Sequence, residues 1–244
     1  MPACTLPLPS ARSAALELPS VRFFGRTLAE YARFFALDPG RLRRRTVLDV
    51  AAGPASFTAE ACKLGVDAVA VDPLYGCPAS TLATHVQLDY AKMFEQMRAK
   101  PHLLRFKSFP SIDAAEIDRR AAARRFLNDY EAHFVHGRDV GARLPKLPFL
   151  DAAFDLVLCA HLLFLHARRF DLAWHLAACR ELVRVSAGEV RIHPVCGADG
   201  RLYPELAPLR AGLGAAGITC ELVPVDYEFF VGSGTMLVLK RAPS

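Results

Sequence analysis

Asp49 and Gly53, in Val47-Leu-Asp-Val-Ala-Ala-Gly-Pro54, and Asp72, closing Ala68-Val-Ala-Val-Asp72 before Pro73, are the residues of this chain whose spacing points to chemistry. A glycine just past a buried strand lets the backbone turn tightly and approach a ligand lying over the sheet edge. An acid at the end of the next strand can accept both hydroxyls of a ribose. The three-glycine fingerprint of pyrophosphate binding is absent, and Pro54 removes one of the backbone N–H groups that a phosphate needs. The pattern therefore suits a ribose-bearing ligand without phosphates, S-adenosylmethionine being one, and disfavours a nicotinamide-dependent dehydrogenase.

Such a site needs a βαβ unit to hold it. Thr46–Ala51 reads as a buried strand, Thr58–Leu64 as a helix closed by Gly65, and Asp67–Asp72 as a second, parallel strand. Further strands are expected at 133–136, 154–160, 189–194, 219–225 and 235–240, with helices at 162–183 and 203–216. The last two strands are separated only by 226–234, which holds Gly232-Ser-Gly234 and has no room for a crossover helix, so they pair antiparallel. The fold expected is α/β: a Rossmann-like, seven-stranded, mostly parallel sheet with an antiparallel C-terminal strand. The stretch from Asp72 to His133 is about three times the roughly 20 residues of a minimal crossover, which predicts a helical insertion after the second strand, at 75–131, over the ligand edge. A flexible arm is expected at 1–20 and a single domain at 21–244. Within that domain a helix at 27–37, ahead of the first strand, is placed either to close over a ligand or simply to pack on the sheet.

With 244 residues, 52% of them hydrophobic and 23% charged, the chain has the material for one large core, which excludes a disordered or collagen-like protein. Its most apolar stretch, Leu156–Leu165, is too short to span a bilayer and is broken by His161. The first twenty residues lack the layout of a secretory signal. Seven scattered cysteines without a C-x-x-C pair read as reduced thiols, so a cytoplasmic protein is expected, with no membrane partner and no metal. The net charge of +5 is concentrated in two arginine runs, Arg41 with Arg43–Arg45, and Arg119, Arg120, Arg124 and Arg125.

Taken in order, three motifs resemble the class I S-adenosylmethionine-dependent methyltransferases: Val47-Leu48-Asp49-Val-Ala-Ala-Gly53; Leu147-Pro-Phe149-Leu-Asp151-Ala-Ala-Phe154-Asp155; and Glu181-Leu-Val-Arg184-Val185-Ser-Ala-Gly188, where Ser186-Ala187 departs from the family's Lys-Pro. Thr235-Met-Leu-Val-Leu-Lys240 resembles the family's reversed last strand, and the likeness runs over about 25–241 apart from the insert. The resemblance implies S-adenosyl-L-methionine as cofactor. Asp49, Ala51 and Gly53 would lie beside its methionine end, Asp72 and Pro73 at the ribose, and Asp139, after a one-residue shift, at the adenine. Cys159 and Ala160 would lie beneath the sulfonium, and Arg26 or Tyr31 would meet the carboxylate.

Methyl transfer from a sulfonium is an in-line displacement that mainly needs its partners aligned. A base is needed only for an acceptor that arrives protonated. His161 is the candidate for that role, beside a plain reading in which it caps or packs the next helix; His166 is a weaker candidate. His133 and His136 have metal-like spacing, but the expected strand would point them to opposite faces. The loop after the fourth strand, Cys159-Ala-His-Leu162, lacks the Asn/Asp-Pro-Pro-aromatic sequence of nucleic-acid amino methyltransferases. A small-molecule acceptor is therefore expected, walled by the insert. RNA, a protein acceptor, and a non-catalytic module that only binds the cofactor are the alternatives.

Overall fold

A computed structural model describes residues 15–242. The β-branched, apolar run Thr46–Val50 forms β1, buried beyond its first residue. α1 (Leu28–Phe34) precedes it, capped by the Thr27 side chain, which accepts from Glu30 N. α2 (Phe57–Lys63) then leads to β2 (Asp67–Asp72). The insertion follows as two long helices, α3 (Ala79–Ala99) and α4 (Ile112–His133), the second capped by Ser111. The rest of the chain is β3 (Asp139–Gly141), β4 (Phe154–Ala160), α5 (Leu172–Val185), β5 (Ser186–His193), α6 (Leu206–Gly214), β6 (Ile218–Pro224) and β7 (Thr235–Arg241).

These strands form one sheet in the order β3-β2-β1-β4-β5-β7-β6, parallel except where β7 pairs with β5 and β6. Alternate residues of a strand face opposite layers. On β1, Val47 packs with α1–α4 on one side, whereas Leu48 and Val50 pack with α5 and α6 on the other. The first layer is aromatic, with Tyr31, Phe34, Phe35, Phe57, Tyr90 and Phe126 all buried. No helix among the described residues is long and apolar enough to cross a membrane. The six described cysteines are free thiols.

Two expectations are corrected. No strand covers 133–136: α4 runs to His133, Phe134–His136 is a 3-10 turn, and β3 starts at Asp139. Tyr130 and Phe134 are one helical turn apart and their rings meet at 5.0 Å, so the aromatic spacing extends the helix. His133 and His136 therefore do not flank a sheet, and among the described residues no three His, Cys, Asp or Glu side chains cluster as a metal site would require. The helix expected at 162–183 begins only at Leu172, where Asp171 caps it by accepting from Trp174 N. Of the expected flexible arm, residues 1–14 lie outside the described part. Leu16 is buried and its N–H donates to Ala198 O.

Candidate active site

β1 and β4 lie side by side, and their chains leave toward opposite sides of the sheet, β1 toward β2 and β4 toward β5. This is the switch point at whose carboxyl edge open α/β sheets bind ligands. Just past β1 the chain turns through Ala51 (φ +58°) and Gly53 (φ +57°); just past β4, His161 has φ +56°. A non-glycine residue in this region costs about 1–3 kcal/mol, and such strain concentrates at functional sites.

A cavity of about 470 Å³ opens here, lined by Ala51, Asp72 and Pro73. Segment 20–23 closes one wall, α3 contributes His85 and Asp89, and Leu144, Leu162, Phe170 and Trp174 form an apolar side. The last two rings stack at 3.8 Å. Arg22 pairs with Asp89 at 2.9 Å, and Phe23 N donates to the same carboxylate, which ties the N-terminal segment to α3. Asp72 Oδ2 accepts from Gly53 N (3.1 Å) and Oδ1 from Leu74 N (2.9 Å). A carboxylate has about four lone-pair sites, so two remain for hydroxyl donors. Burial pushes its pKa up to about 6, against those two N–H groups, and leaves it charged at neutral pH. Tyr75 Oη donates to Gly53 O at 2.6 Å, so both sides of the glycine are pinned.

With the reversed β7 and this cavity in place, the architecture is decided. The chain has a Rossmann-like, seven-stranded α/β fold with a reversed last strand.

Within that fold the other expected residues are distributed differently. Asp49 is fully buried, and Tyr31 Oη, stacked above Phe57, donates to it at 3.0 and 3.2 Å. Burial pushes the Asp49 pKa up to about 8. The pair fastens α1 to β1 and lines neither cavity at this edge. Asp139 opens β3 level with Ala70, two positions short of the edge, where Gly141 pairs with Asp72. From β3 it is Ala142–Leu144 that reach the cavity, because the strand starts later than its expected place. Cys159 is buried in the α5/α6 layer and Ala160 in the other, so neither is exposed to the cavity.

Arg26 and His161 face a separate void of about 40 Å³, together with Arg119. His161 N donates to His193 O at 2.6 Å, and its ring meets Phe34 edge-on. Burial first, then the Arg26 charge, hold the imidazole well below its usual range, so it is neutral and a weak base. The sequence reading missed Arg22, His85 and Asp89, which reach the site only through the packing of the insert. Phe170 and Trp174 were concealed by the helix expected there, although Asp171 has the residue type of a cap. Arg119 did carry a signal. It falls on the buried stripe Ala115, Arg119, Ala122, Phe126 and Tyr130 of α4.

No family model matches the chain. An uncharacterized protein of Methanocaldococcus jannaschii is 27% identical over 227 residues, covering 93% of this chain and 99% of that protein. Among solved structures, magnesium protoporphyrin IX methyltransferase from Synechocystis, with bound S-adenosylmethionine, aligns with a TM-score of 0.43 at 13% identity, over 82% of this chain and 71% of that one. A 1,6-didemethyltoxoflavin-N1-methyltransferase of Burkholderia thailandensis aligns at 0.41 and 19%, over 82% and 72%. A putative S-adenosylmethionine-dependent methyltransferase of Methanococcus maripaludis aligns at 0.44 and 12%, over 89% and 84%.

Proposed function

We propose that the protein is an S-adenosylmethionine-dependent methyltransferase with a small-molecule acceptor. The observation that carries this reading is Asp72, charged and with lone pairs to spare, lining a mostly apolar cavity at the switch point of this sheet. The donor set suits an adenosine. Asp72 would take the ribose hydroxyls; Leu144, Leu162, Phe170 and Trp174 offer faces to a flat base; and the Ala51–Gly53 turn lets the backbone come close. The set suits a pyrophosphate poorly, because Gly53 N is already committed to Asp72. When bound, the cofactor supplies an electrophilic methyl on a sulfonium.

The work left to the protein is alignment, worth up to about 7–11 kcal/mol of the barrier. The walls that segment 20–23 and α3 give the cavity serve that purpose. A neutral, weakly basic His161 is suited to hydrogen bonding, so the acceptor is expected to bring its own lone pair.

Calorimetric titration with S-adenosylhomocysteine is the test. Asp72→Asn keeps the shape of the side chain and removes the charge, so affinity should fall by about 1.5–3 kcal/mol, the worth of hydrogen bonds to a charged acceptor. No heat and no thermal shift with the wild-type chain at millimolar ligand would sink the reading. An unchanged affinity in the variant would remove Asp72 from it.

A further inference from the structure

Arg26, Arg119 and His161 line the smaller void, and each carries a buried polar atom that has no hydrogen-bond partner: Arg26 Nε, Arg119 Nη1 and His161 Nδ1. Arg119 is only 1% exposed. Its Nε and Nη2 donate to Glu30 at 3.2 and 2.9 Å, and Nη2 also to Tyr227 Oη at 3.1 Å, leaving Nη1 as the free arm of the fork. Glu30 balances one guanidinium. Among the described residues no carboxylate lies within ion-pair distance of Arg26, so the pair of arginines keeps a net positive charge. Arg26 is partly exposed and its Nη1 donates to Phe24 O at 3.2 Å; an anion seated here would meet the excess positive charge and the free donors. About 40 Å³ is room for one such small group, since about 10–15 Å³ of water-accessible space already holds a water molecule.

Tyr227 and Ser233 also line the void, their hydroxyls donating to Glu30 and to Phe230 O; the other walls are apolar, including Met93 and Met97 of the insert and Phe229, whose ring lies 4.6 Å from the Arg119 guanidinium carbon. Leu16 and Leu165 line this void and also an outer groove of about 720 Å³, so these two side chains stand between the groove and the void. On the other side, His161 lines the void and the next residue, Leu162, lines the larger cavity.

We propose that this void is the carboxylate subsite of the methyl acceptor. Arg119, with Arg26 and His161, holds an acidic group, while the acceptor's body extends past Leu16 into the groove. The assignment to the acceptor rests on the larger cavity being the cofactor's. The same carboxylate chemistry could come from the cofactor's own methionine end, and the experiment separates the two sources.

Acetate, benzoate and phenylacetate are titrated calorimetrically into the S-adenosylhomocysteine complex, with acetamide, benzamide and phenylacetamide as neutral counterparts. S-adenosylhomocysteine and 5′-methylthioadenosine, which lacks the carboxylate, are compared on the free protein. The variant is Glu30→Gln with Arg119→Met, so that no buried charge is orphaned; Arg26→Gln, which leaves the Glu30 pair intact, is run in parallel should the double variant fail to fold. At least one carboxylate should bind about tenfold tighter than its amide, the worth of a charge-assisted hydrogen bond. That preference should vanish in the variant while S-adenosylhomocysteine affinity stays within about threefold, a change under 1 kcal/mol. Loss of S-adenosylhomocysteine binding with 5′-methylthioadenosine unaffected would give the arginines to the cofactor and overturn the proposal, as would equal binding of acids and amides or no binding of either. If carboxylates bind and S-adenosylhomocysteine never does, the anion pocket stands, but its assignment to a methyl acceptor falls together with the methyltransferase reading.

Discussion

Asp49 shows how one carboxyl in the first strand can be structural even within a ligand-binding pattern. Buried under α1 and bonded to Tyr31, it is pushed from an ordinary 3.8 to about 8. A folded-state pKa above the unfolded one gives stability that is complete below about pH 4 and lost as pH rises through 8. Asp72 and Asp139, both pushed up to about 6 by burial, act in the same direction but finish by about that pH. His193, pushed down to about 3 by burial, and His166, down to about 4, act oppositely, their contribution being lost as pH falls below about 6.5. Between pH 6 and 8 Asp49 should therefore dominate the slope, at no more than about 1.4 kcal/mol per pH unit for one proton. Urea unfolding at pH 6, 7 and 8 should show the wild type losing stability and Asp49→Asn holding level; parallel declines would refute this account. The acid was legible in the sequence as a motif residue. Its role was not, because only α1 packing on β1 brings Tyr31 to it.

Segment 20–27 and α1 divide between them the roles expected of one N-terminal helix. Tyr31 and Phe34 of α1, and Phe35 directly after it, are at most 2% exposed, so this helix is core; it is segment 20–23 that lies over the larger cavity. The join is Gly25. A Cβ there would stand 2.1 Å from the carbonyl carbon and oxygen of Pro54, and Ser56 N donates to Arg26 O, so the segment lies directly on the turn after β1. Gly25→Ala should cost about 1–3 kcal/mol, as overpacking does, and should also weaken S-adenosylhomocysteine, since the wall of its cavity shifts. Thermal denaturation and titration of the one variant check both. A chain begun at residue 36 should not fold at all, and circular dichroism would show it. The second and third motifs are joined just as directly. Arg184 donates to Leu147 O (3.2 Å) and Phe149 O (2.9 Å), and Glu181 accepts from Leu147 N. Arg184→Met should cost about 1–3 kcal/mol through the carbonyls left unpaired, measurable by urea unfolding.

Across the whole molecule, the basic balance does not form the single patch that the arginine runs suggest. Arg119 is in the core, Arg120 is paired with Glu116 at 2.6 Å, and the exposed Arg125 reaches Glu60 of α2 at 4.0 Å, leaving Arg124 on the surface of α4. The exposed run Arg41 and Arg43–Arg45 leads into β1, at the sheet end opposite both cavities. Arg119→Ala should cost about 3–5 kcal/mol by stranding Glu30, whereas Arg124→Ala and Arg125→Ala should each stay within about 0.5 kcal/mol. A surface so divided should bind bulk RNA weakly and without the steep loss between roughly 50 and 200 mM salt that phosphate tracking produces. Tight, salt-sensitive binding abolished by changing Arg120, Arg124 and Arg125 would point to an RNA acceptor instead.

From the sequence alone came the βαβ unit, the helical insertion, the reversed final strand, and Asp72 with the Ala51–Gly53 turn. All of these rest on local pattern: buried runs, turn residues, and an acid at a strand end. What only the tertiary structure decided is which charges are inside. Asp49 meets Tyr31, and Glu30 meets Arg119, 89 residues away, across two layers of the fold. Burial and pairing are properties of packing between distant segments. The same residue types, read along the chain, are indistinguishable from solvated charges or ligand contacts until the insert folds over the sheet.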